Sequence, residues 1–356
     1  MKYHFNRRFT AFLAAGMVFG SALCGCGGKG REEELSYRQI GITAMESGNY
    51  EEAIAAFDAA LGKCGGFVGE AEIDICYYKA AAQYAAEDLE GARETCKALV
   101  DYDPKNADAW YLYGCLLLAT GQPDEAKKAY GSAVENRAED YELYISVYEN
   151  LCAYNLKEDG EEFLNKAFAV KGDTAADNAA RGRIYYLLGQ YENAKTELSA
   201  ALEKKEPKAN LTMAQVCEEL GDTEGAEKYY AAYVEQGADD AGAMNALAEL
   251  AMAKGDYSAA LSYAQQGLAM EEDECRRELM QNQIIAMEMT GDFAGAFGVI
   301  SEYVTLYPED ANAAREYIFL KNRQGIKEPV PDTEADVPDT EAADASEAGE
   351  GTEGTP

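Results

Sequence analysis

A small residue recurs along this chain at a nearly constant interval, as Ala53, Ala92, Ala126, Gly160, Ala194, Ala226, Ala260 and Ala296. The spacings are 39, 34, 34, 34, 32, 34 and 36 residues. A fixed period of this length marks a repeat array, in which each unit buries its apolar face only by stacking on its neighbours. Five positions before each small residue stands a turn-former in most units: Gly48, Gly121, Gly189, Gly221, Gly255 and Gly291, with Asn155 in the fourth and Glu87 as the exception. Glycine there lets the chain enter the left-handed region, ending one helix just before the next begins. Apolar residues fall at helical spacing on both sides of every turn, so each unit reads as two antiparallel helices. Seven positions before the turn the first helix is again small, at Gly41, Ala80, Gly114, Gly182, Ala214 and Ala248. That predicts small residues facing small residues, with Phe57, Tyr130, Leu164, Leu198, Tyr230 and Ile300 filling in around the contact.

These residues resemble the tetratricopeptide repeat. Trp110, Gly114, Leu117, Gly121, Ala126, Tyr130 and Ala133 match its pattern best, followed by Gly41, Gly48, Tyr50, Ala53, Phe57 and Ala60 in the first unit, and Phe293, Ala296 and the closing Pro308 in the last. Departures are Tyr148 and Ile284 at small-residue sites, and Asn155, Lys157 and Gly160 in the fourth unit. The resemblance implies an all-α superhelical solenoid of about eight helix-turn-helix units over residues 34–310. A capping helix is expected over 311–325. From Glu328 onward Pro, Thr, Asp, Glu, Ala and Gly dominate, and an acidic disordered tail is expected over 326–356, because it offers too little apolar surface to offset its ordering entropy.

The chain opens with Lys2, Arg7 and Arg8, an apolar run from Phe9 to Phe19, and then Leu23-Cys24-Gly25-Cys26. The run is shorter than the roughly 20 residues that cross a bilayer and reads as a cleaved leader, residues 1–25. Its end resembles the bacterial lipoprotein box, which implies lipidation of Cys26, a flexible tether over 26–33, and a protein lipid-anchored on the extracytoplasmic side of the bacterial cell membrane. Several acyl chains, at roughly 0.8 kcal/mol per buried methylene, hold a protein there stably.

Charge and composition narrow the function. Acidic residues number 65 against 31 basic, a net charge of −34, which disfavours nucleic acid and anionic lipid headgroups. The one histidine, His4, lies in the leader, so the processed chain has no imidazole for a nucleophile pair or a metal site. No CxxC pair occurs after the leader; Cys64, Cys76, Cys96, Cys115, Cys152, Cys217 and Cys275 stand singly, and buried free thiols are expected, with Cys64 and Cys76 the pair to join if any disulfide forms. No cofactor and no catalysis are expected.

In tetratricopeptide repeats the first helices line the concave side, and ligand contacts come from the second, fifth and ninth positions of each unit. That implies a groove including Tyr77, Asp108, Tyr111, Glu142, Glu149, Arg183, Gln215, Asn245 and Glu249, with Tyr84 and Tyr186 at twelfth positions. Tyrosines interleaved with acids suit a protein or peptide partner bearing basic and apolar residues. Two alternatives stay open: an assembly factor of the cell envelope, and a glycan- or peptidoglycan-binding lipoprotein using the aromatic faces.

Overall fold

A computed structural model describes residues 29–65, 68–238, 240–270 and 275–323. The leader, Cys26 and the acidic tail expected from 326 onward lie outside those residues. Among the described residues there are seventeen α-helices and no strand. Two compact units divide the chain, residues 1–238 and 239–356.

The first unit holds six helical hairpins: α1 (Lys29–Glu46) with α2 (Tyr50–Leu61), α3 (Glu70–Ala85) with α4 (Leu89–Tyr102), α5 (Ala107–Ala119) with α6 (Pro123–Asn136), α7 (Tyr141–Ala153) with α8 (Lys157–Ala167), α9 (Ala175–Leu187) with α10 (Tyr191–Glu203), and α11 (Ala209–Glu219) with α12 (Thr223–Glu235). The second unit holds two more, α13 (Ala241–Ala253) with α14 (Tyr257–Leu268) and α15 (Arg276–Thr290) with α16 (Phe293–Leu306), followed by the single helix α17 (Ala311–Arg323) packed on α16. Second helices pack on the next first helix, as α2 does on α3 and α14 on α15, and successive first helices touch, as α7 with α9 and α13 with α15.

The turns explain the period. All eight positions marked in the sequence have positive φ, including Glu87 at 63° and Asn155 at 61°. The backbone N–H one residue later then donates five residues back, as from Gln122 to Leu117 O at 2.8 Å and from Asp292 to Met287 O at 2.8 Å. This closes the end of one helix. Asp88, Asp222, Asp256 and Asp292 sit at that next position and accept the N–H three residues on, capping the second helix of their hairpins.

Packing inside a hairpin differs in one respect from the small-against-small contact expected. The nearest side chain to Gly41 is the Phe57 ring, Gly114 lies under the Tyr130 ring and Gly182 under Leu198. The first-helix glycine thus makes room for a large residue four positions after the second-helix alanine. In the fourth hairpin the roles are exchanged: Tyr148 is the large partner, and Gly160 lies against it. That exchange accounts for the departure in the sequence pattern, and Leu151 and Leu164 there are as fully buried as their counterparts elsewhere.

A Cβ on Gly114 would stand 2.5 Å from Tyr130 Cε1, whereas one on Gly131, in the interior of α6, would meet nothing within 4 Å. Gly114→Ala is therefore expected to destabilise by about 1–3 kcal/mol through overpacking. Gly131→Ala should stabilise by about 0.5–1 kcal/mol through backbone entropy alone. Urea unfolding of the two variants checks the opposite signs.

The tether boundary needs correction. Residues 29–33, expected as flexible chain, are already helical in α1. Arg31 Nη1 donates to Glu34 Oε1 at 2.9 Å and to Glu72 Oε1 at 2.7 Å, fixing the first turn against α3. Both glutamates are buried. Burial and the Glu72 carboxyl raise the pKa of Glu34. Glu72 feels the same burial, yet the Gly69 N–H and its other hydrogen bonds bring it below the usual range. Within the described residues, the helix expected over 311–325 is α17, Ala311–Arg323.

Candidate functional site

The family-mapped groove residues lie on first helices: Tyr77 and Tyr84 on α3, Asp108 and Tyr111 on α5, Glu142 and Glu149 on α7, Arg183 and Tyr186 on α9, and Gln215 on α11. Asn245 and Glu249 lie on α13 in the second unit. Fifth and ninth positions are turned inward more than a groove wall requires. Tyr111 is only 9% exposed, its ring 5.8 Å from that of Tyr130, and Ile145 and Cys115 beside it are buried. Tyr111, expected as an anchor, is a core residue here, because its ring packs on Tyr130 in the core that α5, α6 and α7 share.

The other tyrosines are half-buried. Tyr77 donates its hydroxyl to Asn106 Oδ1 at 2.9 Å, and Asn106 also caps α5 by accepting the Ala109 N–H at 3.0 Å. Burial and the neighbouring Asp108 carboxylate raise the Tyr77 phenol far above its ordinary range. Burial pushes Tyr84 up to about 12. Tyr186 is raised by burial and then by Glu219, and its ring lies 6.0 Å from Tyr191. These phenols stay protonated at any physiological pH and act as neutral hydrogen-bond donors with apolar faces.

The expected acidity of this face is largely compensated. Arg183 bridges two of the mapped acids, Nη1 to Glu142 Oε2 and Nη2 to Glu149 Oε1, both at 3.0 Å. Arg137 makes a two-pronged pair with Asp108, at 2.7 and 2.6 Å. Arg38 Nε donates to Asp74 Oδ2 at 2.7 Å. Asp74, Asp108 and Glu142 stand near the starts of first helices and Glu149 further along α7, and their arginines lie 29–41 residues away, close to one repeat length. The sequence reading missed Arg38 and Arg137. A basic residue standing about one repeat from an acid at a second position was the available signal. Arg38 and Arg183 so placed join neighbouring hairpins, whereas Arg137, at the end of α6, pairs within its own hairpin.

In the second unit Asn245 Nδ2 donates to Glu249 Oε1 at 2.8 Å, and the buried Asn282 donates to Asn245 Oδ1 at 2.8 Å. Gln215 is half-buried on α11. None of the seven cysteines within the described residues is joined in a disulfide; Cys96, Cys115 and Cys217 are buried, whereas Cys64 and Cys76 are half-buried and not bonded to each other. Among the described residues there is no cluster of three metal-ligating side chains, and no helix is long and apolar enough to cross a membrane.

Family models described as tetratricopeptide repeat match residues 36–62, 83–151, 178–204 and 207–250. The chain is a tetratricopeptide-repeat protein. No curated protein matches it. Among solved structures, the Cut9 and Hcn1 hetero-tetramer of the APC/C is 14% identical over 88% of this chain and 59% of its own, with a TM-score of 0.49. This repeat protein thus spans only 59% of the length of that relative. A tetratricopeptide repeat protein from Parabacteroides merdae ATCC 43184 is 11% identical over 72% of this chain and 99% of its own, with a TM-score of 0.49. PilW, a type IV pilus biogenesis factor, is 20% identical over 59% of this chain and 98% of its own, with a TM-score of 0.42.

Proposed function

We propose that this tetratricopeptide-repeat protein is a non-catalytic scaffold, lipid-anchored through Cys26 on the extracytoplasmic side of a bacterial membrane, that binds a protein or peptide along its first helices. One observation carries the binding reading. Successive first helices of the first unit bring Tyr77, Asp108, Glu142, Glu149, Arg183 and Tyr186 out of a common pattern of positions, with Arg38 and Arg183 pairing acids of neighbouring hairpins and phenol faces left between them. A preformed surface of this kind loses little entropy on binding an extended or helical segment.

The expected test result separates binding from folding. Arg183→Ala should cost no more than about 1 kcal/mol of stability, because its pairs are partly exposed. The same change releases two carboxylates and should alter the affinity of a segment docked there several-fold, measured by calorimetric titration of a partner recovered by cross-linking. Unchanged affinity with retained helicity would reject this face. The anchor is tested by palmitate labelling in a bacterial host, which should be lost in Cys26→Ala and retained in Cys24→Ala.

A further inference from the structure

Helix α17 is a first helix without a second. Ile318 stands seven positions before Gly325, and Gly325 stands 34 residues after the turn at Gly291, in the register of the earlier turns. Gly41, Gly114 and Gly182 hold the same place seven positions before their turns, and each lies against a side chain of its own second helix. In α17 that face is open. Ala313 and Leu320 turn into the core shared with α16, whereas Ile318 is 53% and Phe319 50% exposed, with Ala311 and Ala314 exposed beside them. Helical spacing sets two rows there, Ala311, Ala314 and Ile318 in one and Arg315, Phe319 and Arg323 in the other.

The two arginines differ from the rest. Of the ten arginines among the described residues, eight pair with a carboxylate and these two do not. Arg315 Nη1 donates to Asn312 Oδ1 at 3.5 Å, and the Arg323 guanidinium lies 3.6 Å from the centre of the Phe293 ring and 5.9 Å from that of Phe319. In a chain of net charge −34, exposed cations on either side of an exposed phenyl ring select an occupant that is acidic and partly apolar.

The chain itself supplies one. Past Lys327 come ten acids and no base, beginning Glu328-Pro329-Val330-Pro331-Asp332. Glycine at 325 suits the same left-handed turn, which would lead the following residues back along α17. A second helix would begin two residues past that glycine, as α6 does after Gly121 and α16 after Gly291, and Pro331 would then be its fifth residue. There proline has no N–H for the Lys327 carbonyl, and its ring strikes that carbonyl. The residues before Pro329 and Pro331 favour extended backbone instead. At about 3.1 Å per residue, Glu328 and Asp332 stand about 12 Å apart. Arg315 and Arg323, on a helix rising about 1.5 Å per residue, stand about 12 Å apart as well.

We propose that residues 326–332 lie back over α17 as an extended strap, with Val330 covering Ile318 and Phe319, Glu328 at Arg323 and Asp332 at Arg315. The chain thereby closes its own open end, which stacked repeats cover with a polar surface. Composition alone leaves these residues disordered; the turn register and the arginines give them a place. Weak contacts suffice, because a segment joined this closely to its site is present at an effective concentration of about a millimolar or more. The strap belongs to the second unit and is independent of binding along the first helices of the first unit.

The test uses the full-length chain with p-benzoylphenylalanine in place of Val330. Irradiation and peptide mapping are expected to place the cross-link on Ile318 or Phe319, with a yield that does not change on roughly hundredfold dilution, as an intramolecular contact requires. The same amino acid in place of Glu347 should mark α17 about fivefold less. Hydrogen exchange reads the charges. Glu328→Lys with Asp332→Lys should quicken amide exchange in α17 about fivefold, the scale of two exposed ion pairs. Arg315→Glu with Arg323→Glu should quicken it too. Combining all four changes should slow it about threefold relative to the arginine changes alone, since each new acid then faces a lysine. Glu347→Lys with Glu350→Lys, added to the arginine changes, should give no such recovery.

Cross-links from position 330 that miss α17 would overturn the strap. A yield that rises with concentration and gives covalent dimers would overturn it by showing a second copy's tail as the occupant. So would p-benzoylphenylalanine in place of Phe319 that joins, in cells, to another protein or to lipid rather than to residues 326–332. Exchange in α17 unchanged by Glu328→Lys with Asp332→Lys would remove the pairing. Equal recovery from the Glu347 and Glu350 changes would do the same, by showing that the overall charge of the tail acts on α17 and its register does not.

Discussion

Tyr130→Ala is expected to destabilise the first unit by about 3–5 kcal/mol, the cost of emptying a fully buried aromatic site. Tyr130 has no exposed surface. Its ring lies over Gly114, 5.8 Å from Tyr111 and 6.4 Å, edge-on, from Phe163, so one side chain joins the third hairpin to the fourth. Its hydroxyl donates to Asn150 Oδ1 at 2.7 Å. Tyr130→Phe keeps the ring and loses that bond, and should cost only about 1 kcal/mol. With a urea slope of about 2 kcal/mol/M, the alanine variant moves the midpoint by roughly 2 M. Amide exchange should quicken most in α5 to α8 and less with each hairpin further away, since stacked repeats are stabilised by neighbours. A loss below about 1 kcal/mol for the alanine variant would contradict the packing described.

The same residue shows how far the sequence carried the fold. Gly114 and Tyr130 lie 16 positions apart, within one hairpin, and the spacing rules of a helical pair are enough to bring them together. The left-handed turns were equally legible by register. Glu87 takes φ of 63° although its residue type argues against it, because the repeat fixes where the chain must turn. Lys205, at φ of 66°, was not foreseen; it lies between α10 and α11, outside the turn register, and only the following Pro207 marks the break. The start of α1 was missed for a different reason. Gly27, Gly28 and Gly30 read as a tether, and the contact that orders the first turn joins Arg31 to Glu72, 41 residues away.

The mapped residues were legible in position and illegible in charge. Mapping by repeat placed them on first helices, but it treated each as an isolated label. Tyr111 shares its position in the repeat with Tyr77, yet it is buried where Tyr77 is half-exposed, because its ring packs on Tyr130 in the shared core. Asp108, Glu142 and Glu149 read as free acids until Arg137 and Arg183 are seen beside them.

Tyr303→Ala is the counterpart in the second unit and should cost about 3–5 kcal/mol there, for reasons that are partly polar. Tyr303 is fully buried in the core that α15, α16 and α17 share. Its hydroxyl accepts from Arg277 Nε at 3.0 Å and Gln281 Nε2 at 2.7 Å and donates to Asp310 Oδ2 at 2.8 Å. Arg277 Nη2 also reaches Asp310 Oδ2 at 3.1 Å, and Asp310 Oδ1 accepts the Asn312 and Ala313 N–H groups that begin α17. Those backbone bonds, with Tyr303 and Arg277, lower Asp310 to about 2. Because the folded value is depressed, the stabilisation is present above the ordinary Asp range near 3.8 and is lost as pH falls through about 2. Tyr303→Phe, which keeps the ring, should cost about 1.5–3 kcal/mol through loss of bonds to charged groups. It should also move the acid loss of helicity to higher pH, since Asp310 then has one partner fewer. Circular dichroism at 222 nm from pH 5 to 2 reads that shift, and an acid limb identical to wild type in Tyr303→Phe would show that the hydroxyl does not hold the carboxylate and that α17 is secured by its apolar side chains alone.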